Sequence, residues 1–169
     1  MAKKTIVLPK VYLETSFVSY LTGIETSNAK IAADQAWTRK WWEEERAKCD
    51  VYVSAYTLEE SNKGQIEQVQ KRMQTLSGIP QLNFDIKAVT SLAKKLLNGH
   101  ALPEGEMTDA LHIAAASVSK IDVLLTWNCR HMANPHTLPL TMRIVEKAGY
   151  RCPLIMTPKT FIENTSLEG

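Results

Sequence analysis

Short apolar runs alternate with amphipathic stretches along this chain. Runs that suit buried strands lie at 11–13, 51–55, 122–127 and 154–156, and a shorter one lies at 81–84. Between these runs, apolar positions recur every three or four residues, which is typical of helices with one buried side. The alternation predicts an α/β fold of three layers, α/β/α, in which helices cover both faces of a central parallel sheet.

The ends of two carboxyl-terminal helices are also predicted from the sequence. Residues 140–148 have a helical pattern, and Gly149 follows as a C-cap. Pro158 is placed to open the terminal helix, which we expect to fray after Asn164. Earlier in the chain, residues 27–48 are predicted to form one helix, or two helices separated by a break.

The stretch 11–16, Val-Tyr-Leu-Glu-Thr-Ser, is a predicted strand that ends in a carboxylate. Thr15 or Ser16 is predicted to be the N-cap of the helix that follows. Glu14 would then lie between a strand end and a helix start, which is where ligands bind in open α/β sheets. Taken alone, Glu14 has an ordinary explanation as a solvated acid at a tight turn, so its interpretation depends on other acids.

A second pair of acids follows the predicted strand at 51–55. Thr57 and Glu60 have the spacing of a capping box, so Glu59 and Glu60 are predicted to start a helix directly after a strand. The functional interpretation is that this repeats the geometry of Glu14. The structural alternative is that these acids only complement the helix dipole.

A very apolar helix is predicted to open at Glu106 or Thr108. Asp109 lies in its first turn, where an acid serves either as a dipole partner or as a functional group. His112 lies one turn later on the same face. It is either a metal ligand or a packed, hydrogen-bonded histidine.

The apolar run at 122–127 has the composition of a central strand of a parallel sheet. It ends in Thr126 and Asn128, and His131 follows three residues later. Polar groups therefore cluster at the end of this strand as well.

These strand-end groups point to a metal centre. Glu14, Glu59 or Glu60, Asp109 and Asn128 each follow a strand or open the helix after one, so a parallel sheet would bring them to one edge. Oxygen ligands without a paired Cys or His suit a hard cation such as Mg²⁺ or Mn²⁺. Such an ion polarises a phosphodiester and lowers the pKa of a bound water. Motifs for dinucleotide binding, for a P-loop and for a serine nucleophile elbow do not occur in the sequence.

Composition is consistent with one domain over residues 1–169, since 44% of the residues are hydrophobic. The net charge of +2 permits an anionic partner without requiring one. Three cysteines, an odd number with no close pair, predict reduced structural thiols. The apolar stretches are shorter than a membrane span, and segment 1–9 is too short for a secretory signal, so a cytoplasmic location without membrane contact is expected.

Four segments, taken in order, resemble the PIN domain, in particular the VapC-type toxins of toxin-antitoxin pairs. They are Tyr-Leu-Glu-Thr-Ser, Val-Ser-Ala-Tyr-Thr-Leu-Glu-Glu, Asp-Ala-Leu-His-Ile-Ala-Ala-Ala and Leu-Leu-Thr-Trp-Asn. The resemblance as a whole extends from residue 11 to about residue 157. The resemblance implies a helix-sheet-helix sandwich and an endoribonuclease that depends on Mg²⁺ or Mn²⁺. It also implies a homodimer, an RNA substrate and inhibition by an antitoxin protein.

The resemblance also assigns roles to residues. Glu14 stands at the family's first Asp, Glu60 at its Glu, Asp109 at its helix Asp and Asn128 at its last acid, while Glu59 lies one place off the pattern. The implied metal ligands are Glu14, Glu60 and Asp109. The auxiliary residues beside them are Thr15, Ser16, Glu59, His112, Thr126 and His131.

Two positions depart from the family pattern. Glu14 is one methylene longer than Asp, and Asn128 keeps an oxygen but removes a charge, so metal affinity should fall. His131 is a candidate substitute for the lost function. One alternative to a nuclease is a non-catalytic PIN-like module that binds RNA or protein. Another is a small-molecule phosphohydrolase, because strand-end acids with Mg²⁺ would serve a phosphohydrolase equally well.

Overall fold

A computed structural model describes residues 7–168 of the chain; residues 1–6, which belong to the predicted amino-terminal segment, and Gly169 lie outside the described residues. Helices and strands follow one another in the order β1 (Lys10–Leu13), α1 (Thr15–Thr22), α2 (Ala29–Glu44), a 3₁₀ turn (Arg46–Lys48), β2 (Asp50–Tyr52), α3 (Ala55–Ser61), α4 (Ile66–Leu76), α5 (Ile86–Asn98), α6 (Met107–Val118), β3 (Val123–Leu125), α7 (Leu138–Lys147), β4 (Leu154–Met156) and α8 (Pro158–Glu168).

The sheet of the described residues has four strands in the order β2-β1-β3-β4, and every pairing is parallel. β1 pairs with β2 on one side and with β3 on the other, so Tyr12 lies between Tyr52 and Leu124. The strand order reverses between β1 and β3. In an open parallel sheet this reversal creates a crevice at the carboxyl ends of the two strands.

The two faces of the sheet bury two separate apolar clusters, which confirms the predicted three-layer fold. On one face, Tyr12, Leu124 and Ile155 pack against α5, α6 and α7. The opposite face contributes the alternate residues of the same strands and packs against α1, α2, α4 and α8; its strand residues are Val11, Leu13, Val123 and Leu125. Successive side chains of a strand point to opposite sides, so each strand supplies both clusters.

Helix α6 is buried along almost its whole length. Its apolar residues Ala110, Ile113 and Ala114 are fully buried, and the two alanines that follow are buried as well. Small side chains allow α6 to approach its neighbours closely. The position of Asp109, in the first turn of this helix, is therefore well defined.

The boundary between β2 and α3 differs from the prediction. β2 ends at Tyr52 rather than continuing to residue 55, because Ser54 turns the chain and caps α3. The observed capping box joins Ser54 to Thr57 and not Thr57 to Glu60. Glu60 and its neighbour Glu59 consequently lie in the last turn of α3, and the prediction that they start a helix was wrong.

The first helix also begins differently from the prediction. The N-cap of α1 is Glu14 itself, with an extended backbone at φ −80° and ψ 161°. Its carboxylate accepts a hydrogen bond from the backbone N–H of Ser16 at 3.0 Å. The prediction of Thr15 or Ser16 as the N-cap was wrong, because the carboxylate of Glu14 reaches the free N–H first.

Three other boundaries shift. The strand predicted at 81–84 is reduced to one bridge between Gln81 and Val53, since the chain has already turned into α3 after Val53. The strand predicted at 122–127 is limited to β3, and segment 27–48 forms α2 followed by a 3₁₀ turn.

The last two helices follow the prediction in part. Helix α7 begins two residues earlier than predicted, and its C-cap is Ala148 rather than Gly149. α8 extends to Glu168; Phe161 and Ile162 are buried against the sheet and the α2 side of the core, whereas residues 163–167 are exposed. The expected fraying after Asn164 stays a prediction.

Within residues 7–168, none of the helices has both the length and the apolar character needed to cross a membrane.

Candidate active site

The candidate site lies at the carboxyl edge of the sheet, at the ends of the neighbouring strands β1 and β3. Glu14 directly follows β1 and Thr126 directly follows β3. The backbone N–H of Glu14 donates to the carbonyl oxygen of Leu125 at 3.1 Å, and the hydroxyl of Thr126 donates to Oε2 of Glu14 at 2.8 Å. The two central strands therefore converge on the Glu14 carboxylate.

Glu14 is a buried acid, with 5% of its surface exposed. Its Oε2 accepts hydrogen bonds from the backbone N–H and the hydroxyl of Ser16 and from the hydroxyl of Thr126. Oε1 accepts no hydrogen bond from the described residues. It is also not one of the side-chain atoms that are both fully buried and without a hydrogen-bond partner. One oxygen of Glu14 is thus fixed by the protein while the other is free to bind.

Glu60 is held in a similar way. Its Oε1 accepts a hydrogen bond from the hydroxyl of Thr15 at 2.6 Å and contacts Nε2 of His112 at 2.5 Å. Burial acts to raise the pKa of Glu60, but the hydrogen bonds from His112 and Thr15, together with the charges of His112 and Lys63, lower it below its usual value. Oε2 has no hydrogen-bond partner among the described residues.

Glu59, by contrast, faces solvent. Its side chain is 72% exposed, and its ion pair with Lys63 has a separation of 3.7 Å. Of the two adjacent acids, Glu60 is the one that contacts the other site residues.

Asp109 lies on the far side of this edge, in the first turn of α6. Its Oδ2 accepts a hydrogen bond from Nδ2 of Asn128 at 2.8 Å and lies 3.3 Å from Nδ1 of His131. The same His131 nitrogen lies 3.6 Å from Glu106. Burial, followed by the negative charge of Glu14, raises the pKa of Asp109 above its usual value.

The acids form two groups of possible metal ligands. Glu14, Glu60 and His112 offer atoms within 4.8 Å of one another, and so do Glu106, Asp109 and His131. The loop after β3 connects these groups, because Thr126 donates to Glu14 while Asn128 donates to Asp109. Glu14 and Asp109 are close enough for the charge of one to affect the pKa of the other.

Most predicted site residues contact these two groups. Glu14, Glu60, Asp109 and Asn128 lie at this edge, although Asp109 belongs to a different group from Glu14 and Glu60. The auxiliary residues that contact the acids are Thr15, Ser16, His112, Thr126 and His131. Glu59 does not contact either group, and the catalytic and metal-binding roles of all these residues stay predictions.

Two participants were not identified as site residues from the sequence. Glu106 was considered only as a helix start, although it precedes Asp109 by three residues and therefore shares its helix face. Tyr12, whose hydroxyl contacts Nδ1 of His112 at 2.6 Å, appeared only as a strand residue. Its contact spans 100 positions of the sequence, so no local signal identifies it.

The donor set fits a hard divalent cation. Glu14 and Glu60 each keep one oxygen without a hydrogen-bond partner among the described residues, and the same is true of Oδ1 of Asp109. A cation between these carboxylates would also offset the repulsion that raises the pKa of Asp109. Glu14, Glu60 and Asp109 are therefore the residues that would hold Mg²⁺ or Mn²⁺.

A pocket of about 360 Å³ opens beside Glu60. Its wall combines two carboxylates, an ammonium group, two threonines and an aromatic ring; besides Glu60 it includes Thr15, Tyr56, Glu59, Lys63, Thr108 and Leu111. The ring of Tyr56 stacks on Phe84, with centroids 5.8 Å apart. The pocket thus offers both charged and apolar surface next to the free oxygen of Glu60.

Comparison with known proteins bears on the fold. No protein-family profile and no curated protein sequence matches the chain. Among solved structures, the chain is similar to the crystal structure of VapC20 from Mycobacterium tuberculosis, which is described as a Sarcin-Ricin loop cleaving toxin. The two share 17% sequence identity with a TM-score of 0.54, over 74% of this chain and 95% of VapC20. This likeness shows the fold alone, and it confirms that the chain has the predicted PIN-like α/β/α architecture.

Proposed function

We propose that this chain is an endoribonuclease that depends on Mg²⁺ or Mn²⁺ and acts as the toxin of a toxin-antitoxin pair. The observation that carries this proposal is a pair of possible ligand groups at the carboxyl edge between β1 and β3, one with Glu14 and Glu60 and the other with Asp109. Each carboxylate has one oxygen fixed by protein donors and one oxygen without such a partner. This arrangement suits cation binding better than it suits a purely structural role, because a structural carboxylate would use both oxygens.

The site residues have different roles in the proposed reaction. Glu14, Glu60 and Asp109 would hold the cation, and the hydroxyls of Thr15, Ser16 and Thr126 fix the carboxylates of Glu60 and Glu14. A bound divalent ion supplies polarisation of the phosphodiester and a lowered pKa for the attacking water. Asn128 lies within hydrogen-bond distance of Asp109 and orients this water or a phosphate oxygen.

The substrate is RNA, held beside the carboxylates rather than by them. In the pocket next to Glu60, the ammonium group of Lys63 attracts phosphate, and Tyr56 and Leu111 provide apolar surface for an unstacked base. Single-stranded loops expose such bases. Because VapC20 is described as cleaving the Sarcin-Ricin loop, RNA containing that loop is the first substrate to test.

The toxin role implies two protein partners. One is an antitoxin that covers the active edge, and the other is a second copy of the chain in a homodimer. Light scattering of the isolated protein tests the dimer. Relief of toxicity by a small protein encoded beside this gene tests the antitoxin.

A second candidate is a non-catalytic PIN-like binding module. One observation favours it: Asn128 donates a hydrogen bond to Asp109 at the place where the family carries another acid. An amide there stabilises Asp109 without a cation. Such a module would bind RNA or protein but would show no metal-dependent cleavage.

Two adjacent acids provide the matched test of the proposal. Glu60→Gln removes a charge from the metal site, while Glu59→Gln removes one from the exposed rim of the RNA pocket, beside Lys63. Rates are compared at saturating RNA, where a change in RNA affinity does not alter them. We expect wild type and Glu59→Gln to cut a mixed RNA pool and Sarcin-Ricin loop RNA with Mn²⁺, and Glu60→Gln to lose at least about tenfold in rate. Equal rates for the two variants would contradict the proposed site, and absence of cleavage by the wild type would favour the binding module.

A further inference from the structure

A fully buried histidine stands behind the candidate site. His112 has no exposed surface, and both of its ring nitrogens are engaged. Nε2 lies 2.5 Å from Oε1 of Glu60, and Nδ1 lies 2.6 Å from the hydroxyl of Tyr12. The proposed reaction uses Glu60 but gives no task to His112 or Tyr12.

The hydroxyls around Tyr12 define how its hydrogen bonds run. The hydroxyl of Thr57 donates to the carbonyl oxygen of Leu13 at 3.1 Å, and a hydroxyl has only one hydrogen. Thr57 therefore does not donate in its 3.1 Å contact with Tyr12. The carboxylate of Glu60 only accepts, so the hydrogen of a neutral imidazole is on Nε2, and Nδ1 accepts from the hydroxyl of Tyr12 at 2.6 Å. The oxygen of Tyr12 accepts from Ser54 at 2.7 Å.

This assignment gives the imidazole ring one orientation. Nδ1 accepts from Tyr12 on the side of β1 and α3, so Nε2 is the nitrogen that donates to Glu60. The ring is also enclosed by aromatic neighbours: the centroid of Tyr12 is 5.8 Å away, and the ring of Tyr56 lies edge-on to it at 6.2 Å. Turning the ring would break both hydrogen bonds at a position with no exposed surface.

Glu60 needs such a support. Its side chain is 33% exposed, and a glutamate on a helix surface samples several rotamers at a cost in entropy when it is fixed. His112 and Thr15 both hold Oε1, so that Oε2 is the oxygen left for a ligand.

We propose that His112 is a positioning residue for Glu60, that it is held in turn by Tyr12, and that it does not itself bind the cation. Both of its nitrogens are committed inside the protein, which distinguishes it from the carboxylates around it. This proposal rests on the proposed function in one respect: the ligand for which Glu60 is positioned is a divalent cation.

Two amide variants test the two ring nitrogens of His112 separately. The amide of Gln in His112→Gln reaches the place of Nε2 and keeps a donor for Glu60. The shorter amide in His112→Asn reaches the place of Nδ1 and keeps a partner for Tyr12 only. Ser117→Ala is the control, because Ser117 is a buried polar residue of the same helix that bonds to the carbonyl oxygen of Ile113 and not to the site.

The readout is the affinity for Mn²⁺, measured by calorimetry without RNA, with thermal melting of every variant. We expect His112→Asn to weaken Mn²⁺ binding by about 10- to 100-fold, while His112→Gln stays within about threefold of the wild type. Ser117→Ala should bind Mn²⁺ as the wild type does. A purely structural histidine would instead make affinity follow the melting temperature, irrespective of which amide is present.

A double variant checks that the effect passes through Glu60. In a Glu60→Gln background, His112→Asn should not weaken Mn²⁺ binding further. Spectra of ¹⁵N-histidine, recorded with and without Mg²⁺, should show that Nε2 of His112 keeps its proton when the ion is added, since this nitrogen donates to Glu60 and does not bind the ion.

The outcomes keep the two proposals apart. Equal losses in His112→Asn and His112→Gln, or loss of the proton on Nε2 of His112 when the ion is added, would overturn the positioning role while leaving nuclease activity intact. Wild-type protein that binds Mn²⁺ with the expected variant pattern but does not cut RNA would overturn only the proposed function. A wild type that binds no Mn²⁺ would overturn both.

Discussion

Nδ2 of Asn128 donates a hydrogen bond to Oδ2 of Asp109 over 2.8 Å, joining the loop after β3 to the first turn of α6. The same loop reaches Glu14 through the hydroxyl of Thr126. An amide at position 128 therefore takes part in holding the two groups of acids together. In the resemblance to the PIN family this position carries an acid, so the chain has a neutral contact where a charge would be expected.

Replacing this amide tests its effect on the cation. Asn128→Asp should tighten Mg²⁺ or Mn²⁺ binding by about tenfold, because an added carboxylate raises the ligand charge. Without metal the variant should be less stable than the wild type, since the hydrogen bond to Asp109 becomes a contact between like charges. Calorimetry and thermal melting measure the two effects.

His131 decides whether tighter binding also raises the rate. If weak metal binding limits cleavage, Asn128→Asp will be faster than the wild type. If His131, which lies 3.3 Å from Asp109, has taken over the role of the missing acid, the rate will not rise and His131→Ala will be the damaging change. Should neither variant alter affinity or rate, position 128 has no role and the site ends at three carboxylates.

Asp109 should destabilise the folded state more in the absence of metal than in its presence. Burial and the charge of Glu14 raise its pKa, so above that pKa the ionised side chain destabilises the folded state. Asp109→Asn removes this penalty, and we expect the free energy of unfolding at pH 7 to be unchanged or higher by up to about 1 kcal/mol. A loss of more than about 1 kcal/mol in metal-free melts would show that the hydrogen bonds of Asp109 outweigh the repulsion.

Thr126 supports the buried Glu14 carboxylate. Thr126→Val keeps the shape of the side chain but removes the donor to Glu14 and the acceptor for the N–H of Asn128. We expect a loss of about 2 kcal/mol in the free energy of unfolding, measured by denaturant titration. Thr126→Ser keeps the hydroxyl and should lose less than half as much; equal losses would mean that packing of the methyl group dominates.

Asp122, at the opposite edge of the sheet, gives a pH-dependent prediction. Burial acts to raise its pKa, but the N–H of Lys10 at 2.8 Å and the guanidinium of Arg151 at 2.7 Å lower it below the usual value. Because the folded pKa is the lower one, the ionised group stabilises the fold above about pH 4, and this is lost as the pH falls through the folded pKa.

Asp122→Asn should therefore be less stable than the wild type at neutral pH but not at low pH. The side chain is more than a third exposed, so solvent screening limits the loss at pH 7 to about 1 kcal/mol. At about pH 2 the wild type and the variant should be equally stable. Asp50→Asn, at an exposed position on the same edge, is the control for the loss of one negative charge. A constant difference at every pH would assign the effect to the shape of the side chain rather than to its charge.

The layers of the fold could be predicted because they depend on local patterns. β1, β3 and β4 are short apolar runs, and α5 and α6 have a continuous helical period, so their existence did not depend on distant partners. The ends of elements were less predictable where side chains compete for one free N–H. At the start of α1, Glu14 and not Thr15 takes the N-cap, and Ser54 takes that of α3.

The site was predictable in composition but not in grouping. Glu14 directly follows β1 and Glu60 lies in the helix after β2, so a parallel sheet brings these two acids to one edge. Asp109 opens α6, which follows α5 and not a strand, so its place at this edge depends on how α6 packs. Their division into two groups depends on contacts that span many positions, such as Glu60 with His112 and Thr126 with Glu14. Such contacts are set by packing of the whole domain, and no spacing in the sequence encodes them.

The most direct test of the proposed metal-dependent site is the cleavage of RNA during a Mn²⁺ titration, with the wild type and Asp109→Asn compared side by side. We expect no cleavage by the wild type in a chelator, a rate that rises with Mn²⁺ and saturates, and no cleavage by Asp109→Asn at any Mn²⁺ concentration while it remains folded. Cleavage by the wild type in the chelator, or cleavage by Asp109→Asn at the wild-type rate, would contradict the claim that these carboxylates form a metal-dependent nuclease site.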